Sequence, residues 1–203
     1  MYPIAIVLVV GLAIALERWL VLVAAKVANR RAFNSVIGML RKKDYKSVVN
    51  EAKKSKVPMY QIVAAGVVRF TNSSRRDDVE YAMEERVMEA LPPLEKRTQY
   101  LATLANIATL LGLLGTIIGL IAAFTAVANA APAEKASMLS SSISVAMNTT
   151  AFGLISAIPL LLFHAVLQTK TIEIVDSFEM AGVKVMNILS EIPDRAKTRE
   201  TDK

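Results

Sequence analysis

The sequence predicts an all-α membrane protein with three transmembrane helices and long helical cytoplasmic extensions. Between Arg97 and Lys170 the only charged residues are Glu134 and Lys135, which lie in the middle. Each half of this stretch is longer than the ~20 apolar residues that a helix needs to cross a bilayer. A third apolar run opens the chain, and the charged region after it has helical periodicity. We therefore predict four segments: transmembrane helix 1 at 1–25, a cytoplasmic helical domain at 26–97, a transmembrane hairpin at 98–169, and a cytoplasmic helical extension and tail at 170–203.

Composition and charge exclude several classes of function. The chain has 203 residues, no cysteine and one histidine, so it contains no disulfide, thiolate site or histidine-cluster metal site. It shows no nucleophile–base pair, phosphate loop or metal-ligand set, and we expect neither an enzyme nor a cofactor. Most of the net charge of +6 lies between two apolar spans. That distribution is typical of the cytoplasmic face of a membrane protein and predicts no nucleic-acid partner.

The first span is predicted over about residues 2–24. Pro3 suits a first helical turn, and Arg18 and Trp19 fit the inner membrane interface, as Glu17 does. A basic start and a small-residue cleavage site, which a signal peptide would have, are both missing. Because almost nothing precedes this span, a native start upstream stays open.

The distribution of basic residues predicts the orientation. From Lys26 to Arg97 there are sixteen Lys and Arg residues against nine Asp and Glu, whereas the connection between the later spans has Lys135 alone. Basic residues close to the spans stay in the cytoplasm. We therefore predict a periplasmic N-terminus, a cytoplasmic loop and a cytoplasmic C-terminus.

Apolar residues at helical spacing predict the cytoplasmic helices. The apolar positions between Val36 and Ala52 form one short helix or two. A second helix begins at Pro58 and is broken at residues 71–74. A third extends over 79–94, and the pair Pro92-Pro93 should kink it before it enters the membrane. After Thr169 the helical pattern continues to Leu189, and a polar, frayed tail is expected from Pro193.

The hairpin is predicted as two antiparallel spans at about 105–129 and 138–166, joined by a turn at 129–132. Thr116 lies sixteen residues before Pro132 and Thr150 eighteen after it, so both hydroxyls should be near mid-membrane. A hydroxyl without a partner is costly in lipid, which favours a face turned toward another helix or a wet cavity. Alternatively, each threonine bonds to the carbonyl four residues earlier in its own helix.

We divide the candidate residues of the hairpin into two groups. Those predicted to line a polar path are Thr116, Thr150, Asn148, Ser144 and Thr149. Those predicted to serve helix packing are Gly112, Gly115, Gly119, Gly153 and Pro159, because small residues allow membrane helices to approach closely. Asn148 either joins helices or faces the path, and both interpretations stay open. His164 is interpreted as an interfacial or hydrogen-bonded histidine rather than a proton relay.

Two motifs of the hairpin resemble a known family. The run from Leu110 to Leu120, LLGLLGTIIGL, resembles the second transmembrane helix of the MotA/TolQ/ExbB proton channel family, closest to its ExbB and TolQ branches. The run from Thr149 to Pro159, TTAFGLISAIP, resembles the third helix of that family. The resemblance covers nearly the whole chain. It implies a proton-channel or stator subunit in the bacterial inner membrane that converts proton motive force into mechanical work on the cell envelope.

The resemblance also implies partners. Family members assemble as pentameric rings around an ExbD- or TolR-like protein with a single span that carries an Asp, and a TonB- or TolA-like protein is a further partner. In that assembly Thr116 and Thr150 would help form the polar site that the partner's Asp visits. ExbB and TolQ members carry a Glu five residues before the threonine of the third helix, where this chain has Val145. The TonB-energising, Tol–Pal and motility branches therefore stay open, as does a membrane scaffold or transporter permease subunit without its own proton path.

Overall fold

The structure is all-helical in the part of the chain that it describes. This computed structural model covers the backbone of residues 2–72, 75–128 and 131–201 and, within these ranges, the side chains up to Ser190. The helices in order are α1 (Tyr2–Arg41), α2 (Tyr45–Lys54), α3 (Pro58–Asn72), α4 (Arg76–Glu95), α5 (Thr98–Ala128) and α6 (Lys135–Thr201). Helix makes up 93% of the structure, with no strand in the described ranges. The predicted all-α class is confirmed.

Three helical stretches are long and apolar enough to cross a membrane, which agrees with the three predicted spans. They are Tyr2–Arg41, Arg76–Ala128 and Lys135–Ser190. The second stretch combines two helices, and its apolar part is α5, which contains no charged residue. The chain is therefore a multi-pass membrane protein.

The chain divides into two compact units. The first unit comprises Met1–Trp19 and Arg97–Gln168, and the second comprises Leu20–Lys96 and Thr169–Lys203. The break predicted at residues 71–74 is wrong for its first half, because α3 continues through Asn72. Its second half, Ser73 and Ser74, and the first half of the predicted hairpin turn, at residues 129 and 130, lie outside the described residues. The second half of that turn is closed by a hydrogen bond of 2.9 Å from the Glu134 amide to the Ala131 carbonyl.

In the first unit, buried residues recur at seven-residue intervals along α6. Ala146, Gly153, Leu160 and Leu167 are all buried, and this repeat is typical of helices that pack side by side with knobs-into-holes contacts. Small residues make the contact close. At Gly11 of α1, an added Cβ would lie 2.6 Å from a methyl carbon of Leu160, so a larger residue there would displace that leucine.

In the second unit, α3 packs against both α2 and α4. Its buried side chains include Ile62, Val63 and Val67. An added Cβ at Gly66 would lie 2.6 Å from the sulfur of Met83, so the glycine lets α4 approach closely. Asn29 of α1 accepts a 3.2 Å hydrogen bond from the Met59 amide. This bond satisfies one of the free N–H groups at the start of α3.

The structure differs from the sequence-based prediction in three further helix boundaries. The residues from Val36 to Leu40 belong to α1, not to a separate short helix, because only Gly38 among helix breakers lies between the first span and residue 41, and the intervening residues favour helix. α4 continues through Pro92 and Pro93 to Glu95 and does not run on into α5. α6 continues past Pro193, where we expected a frayed tail to begin, to Thr201.

The end of α4 is fixed by its last few residues. The Lys96 amide bonds to the Pro92 carbonyl at 3.0 Å, Lys96 itself has an extended ψ of 134°, and Arg97 has a φ of 67°. A non-glycine residue in this left-handed region costs about 1–2 kcal/mol. The chain direction therefore changes at residues 96 and 97, after the two prolines.

Asp44 caps α2 and makes its stability depend on pH. Its carboxylate accepts a 3.1 Å bond from the Ser47 amide and a 2.6 Å bond from the Ser47 hydroxyl, and these bonds hold the pKa of Asp44 below its ordinary value. Because the folded-state pKa is lowered, the stabilisation is complete at neutral pH and is lost as the pH falls below about 4. We expect amide-exchange protection of α2, corrected for the intrinsic rate, to fall in that range.

Two variants of Asp44 separate charge from hydrogen bonding. Asp44→Asn keeps an oxygen acceptor and is a comparably good cap, so its α2 protection should not change with pH. Asp44→Ala removes the acceptor and should lower protection at every pH. The same acid-dependent loss in Asp44→Asn would show that another group is responsible.

Candidate functional site

α5 and α6 meet backbone to backbone at Gly112 and Gly153. An added Cβ at Gly153 would lie 2.8 Å from the carbonyl oxygen of Ala108 and 2.9 Å from the Cα of Gly112. An added Cβ at Gly112 would lie 3.2 Å from the Cα of Gly153. Because backbone atoms cannot move aside as a flexible side chain can, neither position has room for a larger residue.

Two further small-residue contacts continue this approach toward the hairpin turn. An added Cβ at Gly119 would lie 2.7 Å from the Cβ of Ala146, and at Gly115 it would meet the side chain of Thr149. As the residue number increases along α5, the number of the contacting residue in α6 decreases, as two antiparallel helices require. All of the predicted packing glycines therefore lie along one contact between α5 and α6.

The Thr150 hydroxyl forms a hydrogen bond between the two helices. Its Oγ1 donates to the carbonyl oxygen of Gly112 at 2.9 Å. The donor reaches this carbonyl because the facing residue has no side chain. Hydrogen bonds between membrane helices contribute on average about 0.6 kcal/mol. The bond therefore adds little stability, and its main effect is to favour one register of α6 along α5.

The other two threonines of the candidate path bond to their own helices. The Thr116 hydroxyl donates to the Leu113 carbonyl at 2.6 Å, and the Thr149 hydroxyl donates to the Val145 carbonyl at 3.0 Å. Thr116 and Thr150 are thus not joined to each other. Their depths still agree to about one helical turn, because Thr150 bonds to Gly112, four residues from Thr116.

A stripe of polar side chains lies on the exposed surface of α6. Its members are spaced four, three and four residues apart, so they share one face of the helix, and all are exposed: Ser137, Ser141, Ser144 and Asn148. We call this set the α6 polar stripe. The predicted site residues therefore divide between two places: Thr149 and Thr150 face α5, whereas Ser144 and Asn148 belong to the stripe.

The remaining sequence candidates lie away from these contacts. Pro159 is half-buried within α6, where its missing N–H leaves the Ile155 carbonyl without its usual helical donor. His164 is also half-buried, nearer the end of the first unit. In the described ranges no three His, Asp or Glu side chains come together as a metal site requires.

Sequence reasoning missed two contacts of the first unit. One is Gly11 of α1 against Leu160, which the presence of a single glycine in the first span could have indicated. The other is an ion pair of 2.5 Å between Arg97 and Glu17, which joins α1 to the start of α5. Both side chains are more than two-fifths exposed, so this pair contributes at most about 1 kcal/mol. No local pattern joins residues eighty positions apart.

The fold and the packing of α5 on α6 define a class of protein: a multi-pass α-helical membrane protein with a hairpin whose two predicted spans contain polar side chains but no charged ones. The model of the MotA/TolQ/ExbB proton channel family matches residues 54–180, which is more than half of the chain. The chain belongs to this family. A comparison with individually curated proteins finds no match.

The contact at Gly153 yields a stability prediction. Gly153→Ala should force α5 and α6 apart, because the new methyl group would overlap backbone atoms, at a cost of about 1–3 kcal/mol. Thermal unfolding of the purified protein in detergent, followed by circular dichroism, measures this loss.

Gly38→Ala is the matched control for this prediction. An added Cβ at this exposed helical position meets nothing within 4 Å, so the variant should keep the wild-type stability or gain up to ~1 kcal/mol from helix propensity. Equal unfolding curves for the two variants would mean that the helices do not approach as closely as Gly112 and Gly153 indicate.

Proposed function

We propose that the chain is the channel-forming subunit of a proton-driven motor of the ExbB/TolQ type, not an enzyme. In this proposal it forms a pentameric ring around an ExbD- or TolR-like protein with one span and a transmembrane Asp. Proton flow then moves this partner against the ring and drives a TonB- or TolA-like protein of the cell envelope. The observation that carries the proposal is the α6 polar stripe.

The stripe requires a cover other than lipid. Hydroxyl and amide groups without partners are costly in a hydrocarbon environment. Ser144 and Asn148 are exposed within the predicted third span, so none of the helices described in the structure covers them. A second membrane protein or a wet cavity would remove that cost, and the centre of a ring provides both.

The partner must supply the group that carries the proton. In the described part of the first unit the only carboxylates are Glu17 and Glu134, and both lie outside α5 and the predicted third span. Hydroxyl groups do not titrate near neutral pH. A partner carboxyl that takes up a proton inside the membrane becomes neutral, and the cost of a charge at mid-membrane disappears.

The threonine hydroxyls are suited to meet such a carboxyl. The protons of Thr116 and Thr150 are already donated to the carbonyls of Leu113 and Gly112, so each oxygen keeps acceptor capacity. A protonated carboxyl needs an acceptor, and these oxygens provide one. Each proton that crosses releases about 2.3 kcal/mol per 100 mV of membrane potential, which is available for movement of the partner.

Val145 changes the polar surface relative to the ExbB and TolQ pattern. It is 60% exposed on α6, next to Ser144. If relatives carry a glutamate here, as the resemblance implies, this chain has one titratable group fewer on the same surface. The partner's Asp is then the only titratable side chain in the proposed path.

The proposed location is the bacterial inner membrane, with the N-terminus in the periplasm and the C-terminus in the cytoplasm. Since the chain has no cysteine, single cysteines report the orientation without background. Ser55→Cys should react with an impermeant maleimide only after the cytoplasmic side is opened. Ala133→Cys should react in intact cells whose outer membrane is permeable. Labelling of both from the same side would reverse or refute the orientation.

Proton flux in liposomes tests the function. With a pH-sensitive dye inside and an imposed potential, this chain alone should conduct near background. The co-purified complex should conduct, and an Asp→Asn change in the partner's span should abolish that flux. Robust flux through this chain alone, abolished by changing His164, would refute the proposal and identify the histidine as the proton carrier.

The threonine variants refine this test. Thr150→Val removes the hydroxyl and keeps the shape, so flux through the complex should fall about tenfold or more, as expected for one lost hydrogen bond to an ionisable group. Thr150→Ser keeps the hydroxyl and should conserve most of the flux. Native mass spectrometry checks that both variants assemble. Full flux in both Thr116→Val and Thr150→Val would show that the threonines serve helix packing only. The chain would then be interpreted as a scaffold or permease subunit without its own proton path.

A further inference from the structure

The second unit separates its charges onto different helices. The segment 41–56, which contains α2, has seven Lys and Arg residues against two Asp and Glu, a net charge of +5. α4 has two Arg residues against seven Asp and Glu, a net charge of −5. Both helices pack on α3. One unit therefore displays a basic segment that includes α2 and an acidic helix α4, and the two have equal and opposite charge.

The exposed face of α2 is basic along its length. Val48 is its only buried residue, and the positions turned away from it are exposed: Lys46, Asn50, Lys53 and Lys54. The spacing of four and three residues places the first three on one stripe. We call this set the α2 basic face.

The exposed face of α4 has the opposite charge and carries apolar side chains. Its members follow at four- and three-residue spacing along the helix, namely Asp77, Tyr81, Glu84, Met88, Leu91 and Glu95. Tyr81 is 68% exposed and Met88 is 63% exposed. We call this set the α4 acidic face. Beside it lies a groove of about 470 Å³, whose lining includes Val87 and Val183 together with three glutamates and one arginine.

The ion pairs within the second unit leave these faces available. Those seen among the described side chains are Lys26–Glu173, Arg69–Asp78 and Arg86–Glu89, and none involves a lysine of α2 or a carboxylate of the α4 acidic face. Exposed Tyr and Met side chains among such charges are typical of surfaces that bind other proteins.

We infer that the α2 basic face of one copy docks on the α4 acidic face of the neighbouring copy. The inference rests on the proposed ring and names its cytoplasmic contact. Each face repels a second copy of itself, which disfavours a dimer whose two-fold axis passes through either face. Two complementary faces on different helices form a heterologous contact instead, and such a contact repeats head to tail until the ring closes.

A membrane surface is the other anionic partner that a basic helix could meet. α2 begins 21 residues beyond the predicted end of the first span at residue 24, and most of that interval belongs to the single helix α1. At 1.5 Å per residue this helix extends about 25 Å past the span, but the chain returns after α2, because the Met59 amide bonds to Asn29, five residues past the predicted span. Distance from the membrane therefore does not decide between the two partners. The complementary charge of the α4 acidic face favours the neighbouring copy, and the lipid-quenching measurement described below tests the lipid partner.

Disulfide formation between copies tests this contact, and the absence of cysteine makes the wild-type chain a clean background. Asn50→Cys and Met88→Cys each introduce one thiol at the centre of a face without changing its charge. When the two single variants are co-expressed, mild oxidation of native membranes should give a covalent dimer. Each variant expressed alone should give none. Asn50→Cys with Asp176→Cys, an exposed position of α6 outside both faces, is the control pair and should not cross-link.

Charge reversal shows whether the electrostatic match guides the contact. Asp77→Lys with Glu84→Lys in the Met88→Cys copy should lower the dimer yield several-fold, and Lys46→Glu with Lys53→Glu in the Asn50→Cys copy should restore it. Asp176→Lys should have no effect. High salt should lower the wild-type yield, since it shortens the Debye length to about 3 Å at 1 M.

The outcomes separate this inference from the proposed function. If native mass spectrometry shows an oligomer but the two thiols do not cross-link, the docking contact is wrong while the ring stands. If the wild-type chain is a monomer with its partner present, the proposed ring is wrong, and the inferred contact between copies is wrong as well. A fluorophore on the thiol at position 50 that is quenched by headgroup-labelled lipids would also overturn the contact, in favour of a lipid-facing α2.

Discussion

The close approach of α5 and α6 at Gly112 and Gly153 is the contact on which the membrane unit depends. There two backbones meet without side chains between them, and this lets the Thr150 hydroxyl reach a carbonyl of the other helix. The contact also fixes the rotation of α6, because a helix with one face held has its other faces determined. Ser144 and Asn148 are exposed for that reason. The packing site and the polar stripe are two consequences of one contact.

The spans and the packing glycines could be predicted because both are local properties of the sequence. A charge-free run of sufficient length indicates a span wherever it occurs, and small residues on one face predict close packing. The bonding of Thr150 could not be predicted. Its hydroxyl has one proton, and a carbonyl of its own helix or of the facing helix can accept it. The rotation of α6 against α5 decides between them, and residue spacing carries no information on that rotation.

The end of α4 shows why a strong local signal can mislead about a boundary. Each proline within a helix costs about 3 kcal/mol, which made Pro92-Pro93 the expected point of change. Ala90 and Leu94 are buried on either side of the pair, and burial of a leucine alone contributes about 1.5–3 kcal/mol. This burial offsets about one of the two prolines, and the helix nevertheless continues to Glu95. Lys96 and Arg97 are exposed, and there the chain changes direction at the cost of about 1–2 kcal/mol for the left-handed conformation of Arg97.

The α6 polar stripe and the two charged faces of α2 and α4 bind their partners through different interactions. The stripe has no net charge, so it exerts no long-range electrostatic attraction. Its hydroxyl and amide groups form hydrogen bonds only with groups in direct contact with them. The segment 41–56 around α2 carries a net charge of +5 and α4 carries −5, and charges act over about a Debye length, which steers encounter and selects the partner. Exposed ion pairs add little affinity. In the ring that we propose, the charges thus set the order and direction of the copies, while stability comes from apolar contact beside them and within the membrane.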